Sequence, residues 1–195
     1  MTARNHHYRL LSVALPQILV LIGLLLAAGA AVARQNPAWP QARPEDVRSV
    51  DAVIRATYES VSDTTGHGRD PDRLRSLFIP QAQMIDVTYR EGKPAVTVRS
   101  IAEFARLAAS RPAGTKRYER EVARRTETYG NLVQVWSSNE YGAPGAAKPA
   151  GHGINAITLT YDGTRWWIIA IEWKNETPGQ AVPAKYLPAK RPARR

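Results

Sequence analysis

The 195-residue chain contains no cysteine. That excludes disulfides, thiolate metal sites, a cysteine nucleophile and lipid attachment through an N-terminal cysteine. It does not argue against export, because a domain of this size folds without covalent staples. Histidine is scarce: His6 and His7 stand near the N-terminus, leaving only His67 and His152, each between two glycines. Zinc and iron sites need three or four ligands, usually with a close pair, so no metal is expected. There is no G-x-S-x-G, P-loop or Rossmann glycine pattern. Serine acyl transfer, nucleotide binding and dinucleotide redox chemistry therefore have no support, and no cofactor is expected. Acid is missing from both ends. Residues 1–33 and 180–195 hold seven of the 27 cations and none of the 17 acids. The intervening chain is close to neutral, the net charge of +10 belongs largely to the ends, and nucleic-acid binding by the domain is not expected.

What is present begins with a secretory pattern. Met1–Arg9 is basic, Leu10–Ala33 carries no charge, and the stretch closes on Ala31-Val32-Ala33. A positive start, an apolar run and a small-x-small close are the parts of a signal peptide, with cleavage expected after Ala33. The alternative is an uncleaved anchor in the inner membrane, since about 20 apolar residues span a bilayer. Pro16 and Gln17 interrupt the run and favour the signal peptide. Both readings put the rest outside the cytoplasm, periplasmic or secreted. Residues 34–44 form a proline-rich linker.

From Pro44 the pattern turns helical. Pro44 suits a first helical position, and Glu45 and Asp46 complement the positive helix start. Val47, Val50, Ile54, Tyr58 and Val61 then recur on one helix face. Residues 62–69 read as a mobile loop, and Asp70-Pro71 opens a short helix. Met84–Tyr89 and Ala95–Val98 read as a strand pair turning at Glu91-Gly92-Lys93. Ser100 with Glu103 is a capping box for a third helix, Ile101–Ala109. Four long strands follow: Arg117–Thr128, Leu132–Glu140, Gly153–Tyr161 and Arg165–Lys174. Alternation in the last puts Trp167, Ile169, Ile171 and Trp173 on one face, and Trp166, Ile168, Ala170 and Glu172 on the other. Residues 177–195 read as a disordered basic tail, which could touch an anionic membrane surface.

This order of elements, with the passages LRSLFIPQAQMID (Leu74–Asp86) and DGTRWWIIAIEW (Asp162–Trp173), resembles the nuclear transport factor 2-like (SnoaL-like) superfamily. The resemblance spans residues 45–176. It implies an α+β domain in which a cone-shaped, curved antiparallel sheet packs against three helices in the N-terminal half and leaves a pocket. In the superfamily's steroid isomerase branch, a strand aspartate shuttles a proton and a first-helix tyrosine stabilises an oxyanion. Asp86 falls at the matching strand position, and Tyr58, with Thr57 competing, at the helix position. For that branch's later acidic partner the candidates are Glu172 and Asn155.

Each candidate also has a plain structural reading. Asp86 could face solvent on a strand whose Ile85 and Val87 turn inward, because a one-residue register change exchanges the faces. Tyr58 fits a core position, and His152 a solvated loop. Trp136, Trp167 and Trp173, with His152 and Asn155, are the candidate ligand contacts; the tryptophans would serve equally as core or as a homodimer face. The leading functional expectation is a domain binding a small apolar or aromatic molecule outside the cytoplasm. The alternatives are a cofactor-free isomerase, dehydratase or cyclase using Asp86 as base, and a dimeric envelope interaction module.

Overall fold

A computed structural model describes residues 39–112 and 114–188. The signal segment, residues 34–38 of the linker and the last seven residues of the tail lie outside the described residues. The chain divides into two units, Met1–Trp39 and Pro40–Arg195, and the fold below is that of the second. No helix among the described residues is long and apolar enough to cross a membrane.

The helices come first. α1 (Pro44–Val47) and α2 (Val50–Val61) replace the single helix expected from the apolar spacing. The break lies at Arg48–Ser49. Ser49 adopts extended backbone, and its hydroxyl accepts the Ala52 amide at 3.1 Å. A serine cap satisfies an amide that has no helical carbonyl, so it starts a new helix here. α3 (Pro71–Ser76) opens under Asp70, whose carboxylate accepts the Arg73 amide at 2.8 Å. α4 (Ile101–Ala109) opens under Ser100, which accepts the Glu103 amide at 3.1 Å as the capping box predicts. An ion pair locks the first three helices together. Arg73 of α3 donates to both oxygens of Asp46 in α1, at 2.8 and 2.9 Å, and to Glu59 of α2 at 2.6 Å.

Six strands form one curved sheet: β1 (Phe78–Arg90), β2 (Lys93–Ser100), β3 (Tyr118–Tyr129), β4 (Leu132–Gly142), β5 (Gly151–Tyr161) and β6 (Trp166–Asn175). Their spatial order is β2-β1-β6-β5-β4-β3. All neighbours are antiparallel except β1 and β6, which run parallel. The closing strand β6 thus lies inside the sheet, as its hydrophobicity predicts. Ile54, Leu74, Leu77, Phe78, Ile157 and Ile168 are fully buried between helices and sheet.

Three expectations need correction. Strict alternation along β6 fails: Ile168 and Ile171, three residues apart, are both buried. Pairing with β5 skips Ile169, since Thr158 faces Ala170 while Leu159 faces Ile168. The extra residue of a β-bulge rephases the strand, so Ile168, Ile171 and Trp173 share the helix-facing side. The loop 62–69 is tied down, not loose. Asp63 accepts the amides of Gly66 and Gly68 at 2.6 and 2.9 Å, and its backbone exchanges hydrogen bonds with Arg117 at 2.8 and 2.7 Å. Both glycines have positive φ, where a side chain would strain the turn. Finally, residues 177–188 are structured. Glu176 accepts the Val182 amide at 3.0 Å, Val182 is buried, and a 3-10 turn (Ala184–Tyr186) sets Tyr186 against Trp136 at 5.8 Å between rings. Apolar contact with the outer sheet face holds this segment where composition alone suggests a free tail.

Candidate functional site

Between α2, α4 and the concave sheet face lies a cavity of about 370 Å³. Its apolar wall includes Leu74, Met84, Phe104, Ile171 and Trp173. Trp173 meets Phe104 edge-on at 5.5 Å and 62°. On β1 the inward residues are Ala82, Met84 and then Asp86, the first two buried and the third part-exposed at the cavity.

A polar strip crosses the floor. Asn155 Nδ2 donates to the Tyr58 hydroxyl at 3.0 Å, Tyr58 and Ser137 hydroxyls lie 2.8 Å apart, and Ser137 donates to Glu121. Glu121 in turn binds Arg124. Since the serine proton goes to a carboxylate, the tyrosine proton goes to the serine. Burial pushes the Tyr58 phenol well above its ordinary 10.0, against the lowering effect of Ser137. It stays neutral, and its one proton is already committed within the protein.

Glu119 is the group the sequence did not single out. It lines the cavity, where its side chain keeps 20% of its exposure. It accepts from Asn139 at 2.6 Å, with Arg117 at 3.9 Å. Burial raises its carboxyl above the ordinary 4.5, outweighing Arg117, Asn155 and Asn139, which all lower it. The folded state therefore holds this proton more tightly than the unfolded chain does. Stability falls as pH rises from 4.5 through the raised value. Glu119→Gln keeps an acceptor for Asn139 and removes the charge. The variant is expected to be more stable than wild type at neutral pH, the advantage vanishing below 4.5, in urea unfolding followed across pH. An advantage that does not change with pH would refute this account.

No family model matches the chain, and no curated protein matches it. Solved structures do. An NTF2-like protein of unknown function from Pseudomonas putida superposes with a TM-score of 0.52 at 12% identity, covering 69% of this chain and 90% of that one. The β subunit of a putative aromatic-ring-hydroxylating dioxygenase from Novosphingobium aromaticivorans gives 0.50 at 12%, with 67% and 88% covered. A protein of unknown function from Mycobacterium tuberculosis gives 0.50 at 16%, with 72% and 78% covered. The chain has the nuclear transport factor 2-like fold.

Within this nuclear transport factor 2-like fold, four of the sequence candidates meet at the cavity: Tyr58, Asp86, Asn155 and Trp173. Thr57 lines it too, although its hydroxyl donates to the Val53 carbonyl at 2.8 Å. The others lie elsewhere. Trp136 sits on the outer sheet face beside a second hollow of about 360 Å³ under residues 180–183, with Glu172. Trp167 is buried at the β5–β6 turn, where its indole donates to Asp162 at 2.6 Å and Arg165 covers its ring. His152 lies 3.2 Å from Glu176 at the root of the C-terminal segment. Asn155, not Glu172, therefore partners Tyr58. Among the described residues no group of three or more His, Asp or Glu could hold a metal ion.

Proposed function

We propose that the domain is exported and binds a small molecule with an apolar or aromatic body in the cavity of its nuclear transport factor 2-like fold. The observation that carries the reading is the cavity itself. Its volume falls in the range of small-ligand sites, and an apolar wall of Leu74, Met84, Phe104, Ile171 and Trp173 facing convergent polar groups is what such sites present. Export rests on the basic, apolar and Ala-x-Ala parts of residues 1–33. Native mass spectrometry of protein purified from its source is expected to show a mass excess that disappears on denaturation. Purified protein that is ligand-free and binds no member of an aromatic compound panel would overturn the reading.

A second reading is cofactor-free acid–base catalysis, favoured by two carboxyls that line the cavity, Asp86 on β1 and Glu119 on β3. A carboxyl with a raised pKa suits a general base or acid near neutrality. Tyr58 supports this reading less than its position suggests, because its proton already goes to Ser137. The outer face also suits a second copy of the chain at its β2 border, where Val96 and Val98 are 65% and 54% exposed. The same mass spectrum reads the oligomeric state.

A further inference from the structure

Four arginines from four separate segments reach the cavity wall: Arg69 before α3, Arg99 at the end of β2, Arg111 after α4 and Arg117 before β3. Only two carboxylates line it with them, Asp86 and Glu119, and burial biases Glu119 toward its neutral form. The arginines are unevenly compensated. Arg99 faces Glu103 at 3.8 Å, and Arg117 faces Glu119 at 3.9 Å while its guanidinium covers the Tyr141 ring. Arg69 makes no ion pair among the described residues; its Nε and Nη1 donate to the carbonyls of Val61 and Ala108. Arg111 makes no hydrogen bond or ion pair among the described residues.

We propose that the molecule taken up by this cavity is an organic anion, an apolar body ending in a carboxylate that Arg69, Arg111 and Arg117 receive. The inference rests on the small-molecule reading above and adds the charge of the ligand. Arg111 and Arg117 stand close to Arg69: burial lowers the Arg69 guanidinium first, and the charges of Arg111 and Arg117 lower it further. Glu119 and Asp63 oppose this, but Asp63 is already occupied by the amides of Gly66 and Gly68. Like charges gathered beside a cavity without matching acid are relieved by an anion entering it. A guanidinium held in place by backbone carbonyls keeps its remaining N–H donors for a carboxylate, which it can bind with two parallel hydrogen bonds. Leu74, Phe104 and Trp173 would cover the apolar body.

The test uses two fluorescent probes of one skeleton, anionic anilinonaphthalene sulfonate and neutral N-phenylnaphthylamine. They are titrated against wild type, Arg111→Gln, Arg117→Gln and the cavity-filling Ala108→Trp. Wild type is expected to prefer the anion by about tenfold or more, as charge-assisted hydrogen bonds to a ligand allow. That preference should shrink several-fold in Arg111→Gln, whose side chain holds nothing else in the fold. Both probes should lose binding in Ala108→Trp. Equal affinity for the two probes, with both blocked by Ala108→Trp, would overturn the anion proposal and leave the cavity reading standing. Binding of either probe that ignores Ala108→Trp, or no binding of either, would overturn the cavity reading and this inference with it.

Discussion

Arg73→Met is expected to destabilise the domain by about 3–5 kcal/mol, the usual cost of removing one partner from a buried ion pair. In a protein of this size that corresponds to a fall in Tm of ~10 °C or more. The reason is what remains behind. Asp46 has only 3% of its side chain exposed and takes two hydrogen bonds from Arg73, so the variant leaves a carboxylate in the interior without its hydrogen-bonded counter-charge. The hydrogen bond from Arg73 holds the Asp46 carboxyl below its ordinary 3.8, with burial opposing. A depressed acid stabilises the fold above its unfolded value, so this contribution is present above 3.8 and is lost as pH falls through the folded value. Wild type should therefore converge on Arg73→Met in acid. The double variant Arg73→Met with Asp46→Leu should recover most of the loss, because the orphaned charge carries the cost. A single-variant loss below about 1 kcal/mol by thermal and urea unfolding would show that the pair is no more than a surface contact.

Trp173→Ala is expected to cost about 2–4 kcal/mol and to weaken ligand retention in the cavity at the same time. This indole lines the cavity on one side and the outer hollow on the other, and it supplies the edge-on partner of Phe104. Its removal takes away a large apolar surface where the two hollows share a wall, and truncation leaves a void in a close-packed interior. Urea unfolding and probe titration on the same preparation check both effects. Loss of stability with unaltered probe affinity would place the ligand elsewhere.

Much of the fold could be read from the residues, for local reasons. Ser100 with Glu103, Asp70 with Pro71, and the Asp162-Gly163-Thr164 turn each act through a hydrogen bond a few residues away. Composition and spacing capture such contacts. The site was legible in part: Asp86 and Asn155 reach the cavity, as does Tyr58 on its apolar helix face. The rest depends on contacts distant in sequence. Glu119 lies in a strand whose alternating charge reads as a wet face, and only closure by α2 and by Asn139 of β4 turns its carboxyl inward. The bulge at Ile169 leaves no mark in WWIIAIEW, because apolar residues on both faces conceal the phase. The four arginines come from three connecting segments and a strand end, and no periodicity relates them.

The C-terminal segment also decides where another protein surface can approach. By laying Val182 and Tyr186 across the middle strands, the chain shields its own outer face there and leaves Val96 and Val98 open at the β2 border. A twin subunit would meet this sheet off-centre, along its free margin, and trimming the chain back to Glu176 would bare a broader and stickier contact than the intact molecule offers.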